Sequence, residues 1–440
     1  MSLDKLGDWR RTHFSSDITP ELDGKTVTVF GWVQTVRDLG KIKFILLSDR
    51  EGEVQITIPL KTVDPSLVEK ISILKKQDVV GVRGVVKKTD KAKQGVEIIP
   101  TEVKILNQTE HPLALDPTGK IPADLDVRLN ARILDLRRPE GKAIFKLNHV
   151  VTSTIRNFLE KEGFIEIQTP KIIATATEGG AALFPVVYFN REAFLAQSPQ
   201  LYKEQLTSVF DKVYEIAPFF RAEESRTTRH IAEFISVDIE QAFATIDDVT
   251  NLLERLIVFV LENVRKKCVK ELEVLKREIK IPKIPFKRYT YDEILELLKS
   301  EGFILSWGED IPTPALRALG DHHPEEFYFI TDWPTISKPF YIKPRDDKPE
   351  VCEAFDLMYS WIELASGGTR IHEKKLLIQR MKEQNLNPES FEHHLKVFSW
   401  GMPPHAGWGL GLGRFMMVLT GKENVRECIL FPRDRDRLEP

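Results

Sequence analysis

The chain has 440 residues, 42% hydrophobic and 29% charged, the make-up of an ordinary globular protein with room for two or three domains. A formal net charge of −3 gives no global basic bias, so any contact with nucleic acid has to come from local patches. Three scattered cysteines, Cys268, Cys352 and Cys428, exclude a cysteine-rich zinc module and argue against a disulfide framework.

The opening "MSLDKLGDWRRTHF" has no apolar leader core, and no run of ~18 apolar residues follows it. A cytoplasmic protein with no membrane partner is expected. Residues 25–33, 42–47, 53–58, 79–86 and 96–100 are short, β-branched and broken by Gly, Asp and Lys, which predicts five strands. One helical piece, "DPSLVEKISILKK" (64–76), lies between the third and the fourth. That order predicts a small barrel of the oligonucleotide-binding (OB) type over residues 1–105. Phe44, with Arg37, Lys41 and Lys43, offers it an aromatic platform beside basic side chains; Phe44 reads equally well as barrel core.

Residues 106–135, with three prolines and several Asp and Asn, read as an ordered linker or hinge. The rhythm then changes. In 142–163, Ile144, Leu147, Val151, Ile155, Phe158 and Leu159 recur at helical spacing, and Gly163 supplies a stop. Strands and longer helices alternate to the end, so 136–440 is expected to be an α+β or mixed α/β domain without internal repeats.

Five stretches of this second region carry candidate chemistry: "TATEGGAALF" (175–184), "SPQLYKE" (198–204), "FRAEESRTTRHIAEF" (220–234), "EAFDLMYSWIELASGGTRIH" (353–372) and "HAGWGLGLGRFMM" (405–417). Glycines at 407, 409, 411 and 413 fall on every second residue. On a strand that spacing strips one face of side chains, so that a ligand or another backbone approaches closely. Asp356, Glu363 and Ser366 are hard oxygen donors of the kind that hold Mg²⁺ with phosphates, though a pair of surface acids has the same spacing.

Together these stretches resemble the class II aminoacyl-tRNA synthetases and, within them, the archaeal type of aspartyl enzyme. "GFIEIQTP" (163–170) looks like motif 1, the dimer-interface element. The stretch 220–234 looks like motif 2, and "GWGLGLGRF" looks like motif 3. The resemblance implies an α+β architecture: an OB-fold anticodon-binding domain, then a catalytic domain whose antiparallel sheet is flanked by helices. It implies ATP-dependent activation of L-aspartate to aspartyl-adenylate and transfer to tRNA-Asp, by a homodimer using Mg²⁺.

By match of motif, Arg221 and Arg414 are the catalytic candidates. ATP would meet Arg221, Glu223, Arg229, His230, Phe234, Glu363, Gly411 and Arg414. Aspartate would meet Glu178, Ser198, Gln200, Lys203, Arg221, Asp238, Ser366 and Arg370. Mg²⁺ would fall to Glu363 and Ser366 with Asp356 as helper, and anticodon bases to Phe44 and Gln55. An acidic residue commonly precedes the motif 3 arginine, and here that position is Gly413. The nearest alternative is an asparaginyl enzyme, which shares every motif. Lys203 and Arg370 argue for a carboxylate substrate, because an amide facing a desolvated lysine is poorly matched. An amidating ligase would lack the barrel, and an inactive relative would lack Arg221, Glu363 or Arg414.

Overall fold

The computed structural model describes residues 3–174, 183–224 and 227–440. The chain divides into two compact units, Met1–Lys142 and Ala143–Pro440.

In the first unit, β1 (Thr26–Asp38), β2 (Ile42–Ser48), β3 (Glu53–Pro59), β4 (Val79–Lys88) and β5 (Val96–Asn107) close into a barrel in the order β1-β2-β3-β5-β4. Alternation puts Val27, Val29, Ile45, Leu47, Ile56, Ile58, Val80 and Val82 inside it. The expected helix runs from Pro65 to Ser72, capped by Asp64, whose carboxylate accepts from the Ser66 N–H at 2.8 Å. Strands β1 and β5 extend well past their expected ends. The outer end of β1, residues 35–38, is half-buried to exposed and stays in the ladder through backbone pairing, which composition does not report.

The proline-rich segment after the barrel holds two short helices, Leu125–Asn130 and Arg132–Leu136. Buried Asp135 draws in Arg132 at 2.6 Å and Arg128 at 2.8 Å, and the Arg137 guanidinium lies 4.7 Å over the Trp32 ring. The Asp135 pairs brace the segment internally, and Arg137, which also donates to Gln77 Oε1 at 3.0 Å, ties it to the barrel.

The second unit contains β6 (Ile165–Glu166), β7 (Ile172–Ile173), β8 (Pro185–Tyr188), β9 (Arg191–Leu195), β10 (Lys212–Phe220), β11 (Glu233–Ala242), β12 (Lys287–Thr290), β13 (Phe327–Thr331), β14 (Ala354–Tyr359), β15 (Ile362–Thr369) and β16 (His405–Gly411). Eight of them form a mostly antiparallel sheet, β12-β13-β14-β15-β16-β11-β10-β6, and β7-β9-β8 form a small second sheet. Strand alternation sorts the large sheet into two faces. Val237, Ile239, Trp408, Leu410, Phe355 and Leu357 join one hydrophobic core with the helices Pro139–Lys161, Ile246–Lys267 and Leu412–Thr420. The other face collects polar residues and glycines, and the site lies there.

Candidate active site

Register sets the polar face. Asp238 on β11 pairs with Gly409 on β16, Gly409 with Ser366 on β15, and Ser366 with Asp356 on β14. One row across four strands therefore holds a carboxylate, a bare position, a hydroxyl and a second carboxylate. The adjacent row pairs Glu240 with Gly407, and Gly407 with Gly368. Ser236 pairs with Gly411 on the other side. A bulge between Leu357 and Met358 puts Glu363 opposite Met358, which returns Glu363 to the face of Asp356.

The expectation of a wholly bare glycine face needs correcting. A Cβ at Gly407 would collide with the Glu240 carboxylate and the Ile239 carbonyl, and one at Gly409 would lie 2.9 Å from Asp238 Oδ1. Those two glycines make room for buried acids. Only Gly411 is open, with no neighbour nearer than 3.9 Å to its missing Cβ. Gly413 is not on the strand at all: it sits in the helix Leu412–Thr420, where its missing side chain lets Val425 approach.

Near Gly411 the structure gathers cations. The Arg414 guanidinium donates to the Glu363 carbonyl at 3.1 Å and to its Oε1 at 3.4 Å, and lies 3.5 Å from the Arg229 carbonyl. The Arg229 side chain donates to Thr313 Oγ1 at 2.9 Å, and its guanidinium lies 4.7 Å over the Trp361 ring. Burial would raise the Glu363 carboxyl, but Arg414, Lys338, Arg221 and Arg229 together hold it below the usual range. Burial, reinforced by Arg414, pushes the His230 imidazole down, toward its neutral form. His230 Nδ1 lies 2.6 Å from Thr227 Oγ1. Glu223 shares a small pocket with His230, Arg426 and Asp434. Arg221 continues the ladder beyond β10 through its N–H to the Ala232 carbonyl, and its guanidinium lies 5.3 Å over half-buried Phe234.

Toward β11 the side chains form a closed network of charge. Lys203, 2% exposed, donates to Asp238 Oδ1 at 2.9 Å and lies 3.4 Å from Glu240 Oε2. Arg370, 3% exposed, pairs with Glu240 at 3.0 Å and donates to Gln200 Oε1 at 3.4 Å. Both cations expected to face a substrate carboxylate thus already hold protein carboxylates. Ser198 Oγ accepts from the Gln200 N–H at 3.3 Å, just ahead of the helix that carries Gln200 and Lys203. Glu178 lies outside the described residues.

The donor set can be tested for Mg²⁺. Both oxygens of Asp356 accept from the Lys338 ammonium, at 2.9 and 2.7 Å. Among the described residues no group of three or more His, Cys, Asp or Glu side chains converges to hold a metal ion. Glu363 and exposed Ser366 on one face fit the sparse protein donation typical of Mg²⁺, which keeps waters and takes phosphate oxygens for its remaining positions.

In the barrel, Phe44 is half-buried and stands outside the core cluster. It pairs with Arg37 on one side and Thr57 on the other. Gln55 Nε2 donates to Thr57 Oγ1 at 3.1 Å and to Glu97 Oε2 at 3.3 Å. Those bonds hold the amide and leave its oxygen to accept.

Sequence reasoning passed over Glu240, Glu204, Lys338 and Trp361. Glu240 had a signal, since it lies two residues from Asp238 on a strand and so shares its face. Lys338 comes from a loop, and no pattern marks it.

The family described as tRNA synthetases class II (D, K and N) matches residues 124–435, and the OB-fold nucleic acid binding domain matches 27–106. The aspartate–tRNA(Asp/Asn) ligase of Methanothermobacter thermautotrophicus is 53% identical over 99% of this chain and 100% of its own length. The aspartate–tRNA(Asp) ligase of Thermococcus kodakarensis is 53% identical over 98% of this chain and 100% of its own. The solved asparaginyl-tRNA synthetase of Pyrococcus horikoshii, complexed with asparaginyl-adenylate, superposes with a TM-score of 0.94 at 30% identity, covering 98% of this chain and 100% of that one.

Proposed function

The chain belongs to the class II tRNA synthetases of the D, K and N group, and from that premise we propose that it is an aspartate–tRNA ligase. It joins L-aspartate to the 3′ end of tRNA-Asp through an aspartyl-adenylate. The observation that carries this reading is the polar sheet face, with arginines and an open glycine at one end and two buried cations at the other.

In the first step an oxygen of the aspartate α-carboxylate attacks the α-phosphorus of ATP. A P–O bond forms, the bond to the β-phosphate breaks, and pyrophosphate leaves. Arg221 neutralises the charge that grows at phosphorus, and Arg414, steadied by Glu363, holds the outer phosphates with Arg229. Phe234 stacks on adenine against Gly411, where an added methyl group would intrude. Glu363 and Ser366 would hold Mg²⁺, which supplies charge neutralisation to the polyphosphate. In the second step a hydroxyl of the terminal ribose of tRNA attacks the activated carbonyl and AMP leaves. No side chain serves as a covalent nucleophile; the residues bind, align and neutralise.

The asparaginyl reading has one observation behind it, the high TM-score to such an enzyme. The 53% identity to two aspartate ligases outweighs it. Aspartate-dependent exchange of pyrophosphate into ATP tests the assignment: exchange with aspartate and little with asparagine is expected, and the reverse overturns it. The named relatives differ over tRNA-Asn, and charging both transcripts side by side decides that point for this chain. Among the described residues no helix is long and apolar enough to cross a membrane. From its family we place the enzyme in the cytoplasm. Ile165, exposed on the edge strand β6, is where we expect a second copy to dock in a homodimer.

A further inference from the structure

The helix Gln200–Phe210 carries Gln200 and Glu204 one turn apart on the same side. Glu204 is completely buried and plays no part in the chemistry above. The Gln200 Nε2 donates to Glu204 Oε1 at 2.6 Å, while Gln200 Oε1 accepts from Arg370 Nη2 at 3.4 Å. An ionised carboxylate only accepts and a guanidinium only donates, so a single orientation of the Gln200 amide satisfies both.

The far side of Glu204 is held as well. Its Oε2 lies 3.4 Å from His394 Nε2, close but without the alignment of a hydrogen bond. The Gln205 Nε2 lies 3.0 Å from His394 Nδ1. An amide N–H donor there makes Nδ1 the acceptor, which leaves the ring proton on Nε2, toward Glu204. Burial would push the Glu204 carboxyl up, but its interactions with His394, His405 and Arg370 hold it below the usual range, so it stays an acceptor.

We propose that Glu204 is a positioning residue for the amino-acid substrate: it fixes the Gln200 amide, and through Gln200 Oε1 it fixes the guanidinium of Arg370. Without the Glu204 acceptor, Gln200 Nε2 loses a buried partner, and the amide is free to turn its NH₂ toward Arg370, donor against donor. Arg370 then keeps Glu240 on one side and loses its second anchor, so its remaining N–H groups no longer present one geometry to the substrate carboxylate. The proposal rests on the reading that Gln200 and Arg370 face the amino acid.

The test uses the full-length enzyme in the exchange assay, with Glu204→Leu and Glu204→Gln, measuring KM for aspartate and for ATP separately alongside thermal unfolding. Glu204→Leu is expected to raise the aspartate KM about tenfold or more, the scale of one misdirected charge-assisted hydrogen bond, with the ATP KM moving less than about twofold. Glu204→Gln keeps an acceptor oxygen and should bring the aspartate KM back to within about threefold of the parent. Should the leucine variant fail to fold, Glu204→Thr, polar but too short to reach Gln200, carries the same expectation in its place. An unchanged aspartate KM, equal losses for aspartate and ATP, or a glutamine variant as impaired as the leucine one overturns the proposal. If the parent enzyme shows no exchange with aspartate, the functional reading falls and takes this proposal with it. If the parent exchanges and the variants keep its KM, this proposal alone falls.

Discussion

Arg370 shows how much of a residue's role depends on a partner elsewhere in the chain. Its residue type was readable, and its position just past the Ser-Gly-Gly stretch that ends β15 matched a family pattern. Its partner Glu240 lies 130 residues earlier, and the pairing of β11 with β16, and of β16 with β15, brings the two together. That pairing changes what a substitution does. On the proposed reading Arg370→Leu removes a cation from aspartate, and it leaves Glu240, 0% exposed, with Lys203 at 3.4 Å as its one remaining ion-pair partner among the described residues. Breaking one partner of a buried pair costs ~3–5 kcal/mol, and the remaining Lys203 places this case at the low end. The single variant should therefore lose both aspartate-dependent exchange and thermal stability. Arg370→Leu with Glu240→Leu should recover much of the stability and none of the exchange, as read by melting and pyrophosphate exchange. A double variant that melts as early as the single one would show that Glu240 is not the stranded charge.

At the scale of the element, β16 separates what pattern reveals from what it hides. Alternate glycines correctly marked a strand with one side-chain-free face, because a period of two has no other common cause. The pattern did not say what fills that face, since the occupants Glu240 and Asp238 come from the neighbouring strand. Nor did it show that the strand stops at Gly411 and that Gly413 lies in the first turn of a helix. Two substitutions of the same type should consequently behave differently. Gly407→Ala drives a methyl group into a buried carboxylate and a backbone carbonyl, an overpacking that costs ~1–3 kcal/mol, so the variant should melt early. Gly411→Ala meets nothing nearer than 3.9 Å in the protein and should melt with the parent, yet its methyl group would occupy the surface proposed for the nucleotide. Its ATP KM should rise, with the aspartate KM little changed. Early melting of Gly411→Ala, or an unaltered ATP KM, would remove Gly411 from the nucleotide site.

For the whole molecule, the two units were legible as a change of rhythm, from β-branched runs broken by turns to helical spacing that begins at Ile144. The linker was less legible: its prolines marked a break between rhythms, while the Asp135 cluster that braces it depends on folded positions of three arginines, and Arg137 reaches Gln77 and Trp32 of the barrel. Two units with separate cores imply separable functions, and Phe44 tests this. It sits outside the barrel core, half-buried, in a row with Arg37 and Thr57. As a stacking platform it contributes ~1–3 kcal/mol per base, so Phe44→Ala should weaken productive tRNA binding roughly ten- to a hundredfold. As core it would leave a cavity costing about 3–5 kcal/mol, and the barrel would melt early. The half-exposed position argues for the first outcome. Adenylate formation belongs to residues of the other unit, so pyrophosphate exchange should stay at the parent's level while charging of tRNA-Asp falls. A barrel that melts early, or exchange that falls in step with charging, would take Phe44 out of the tRNA-binding face.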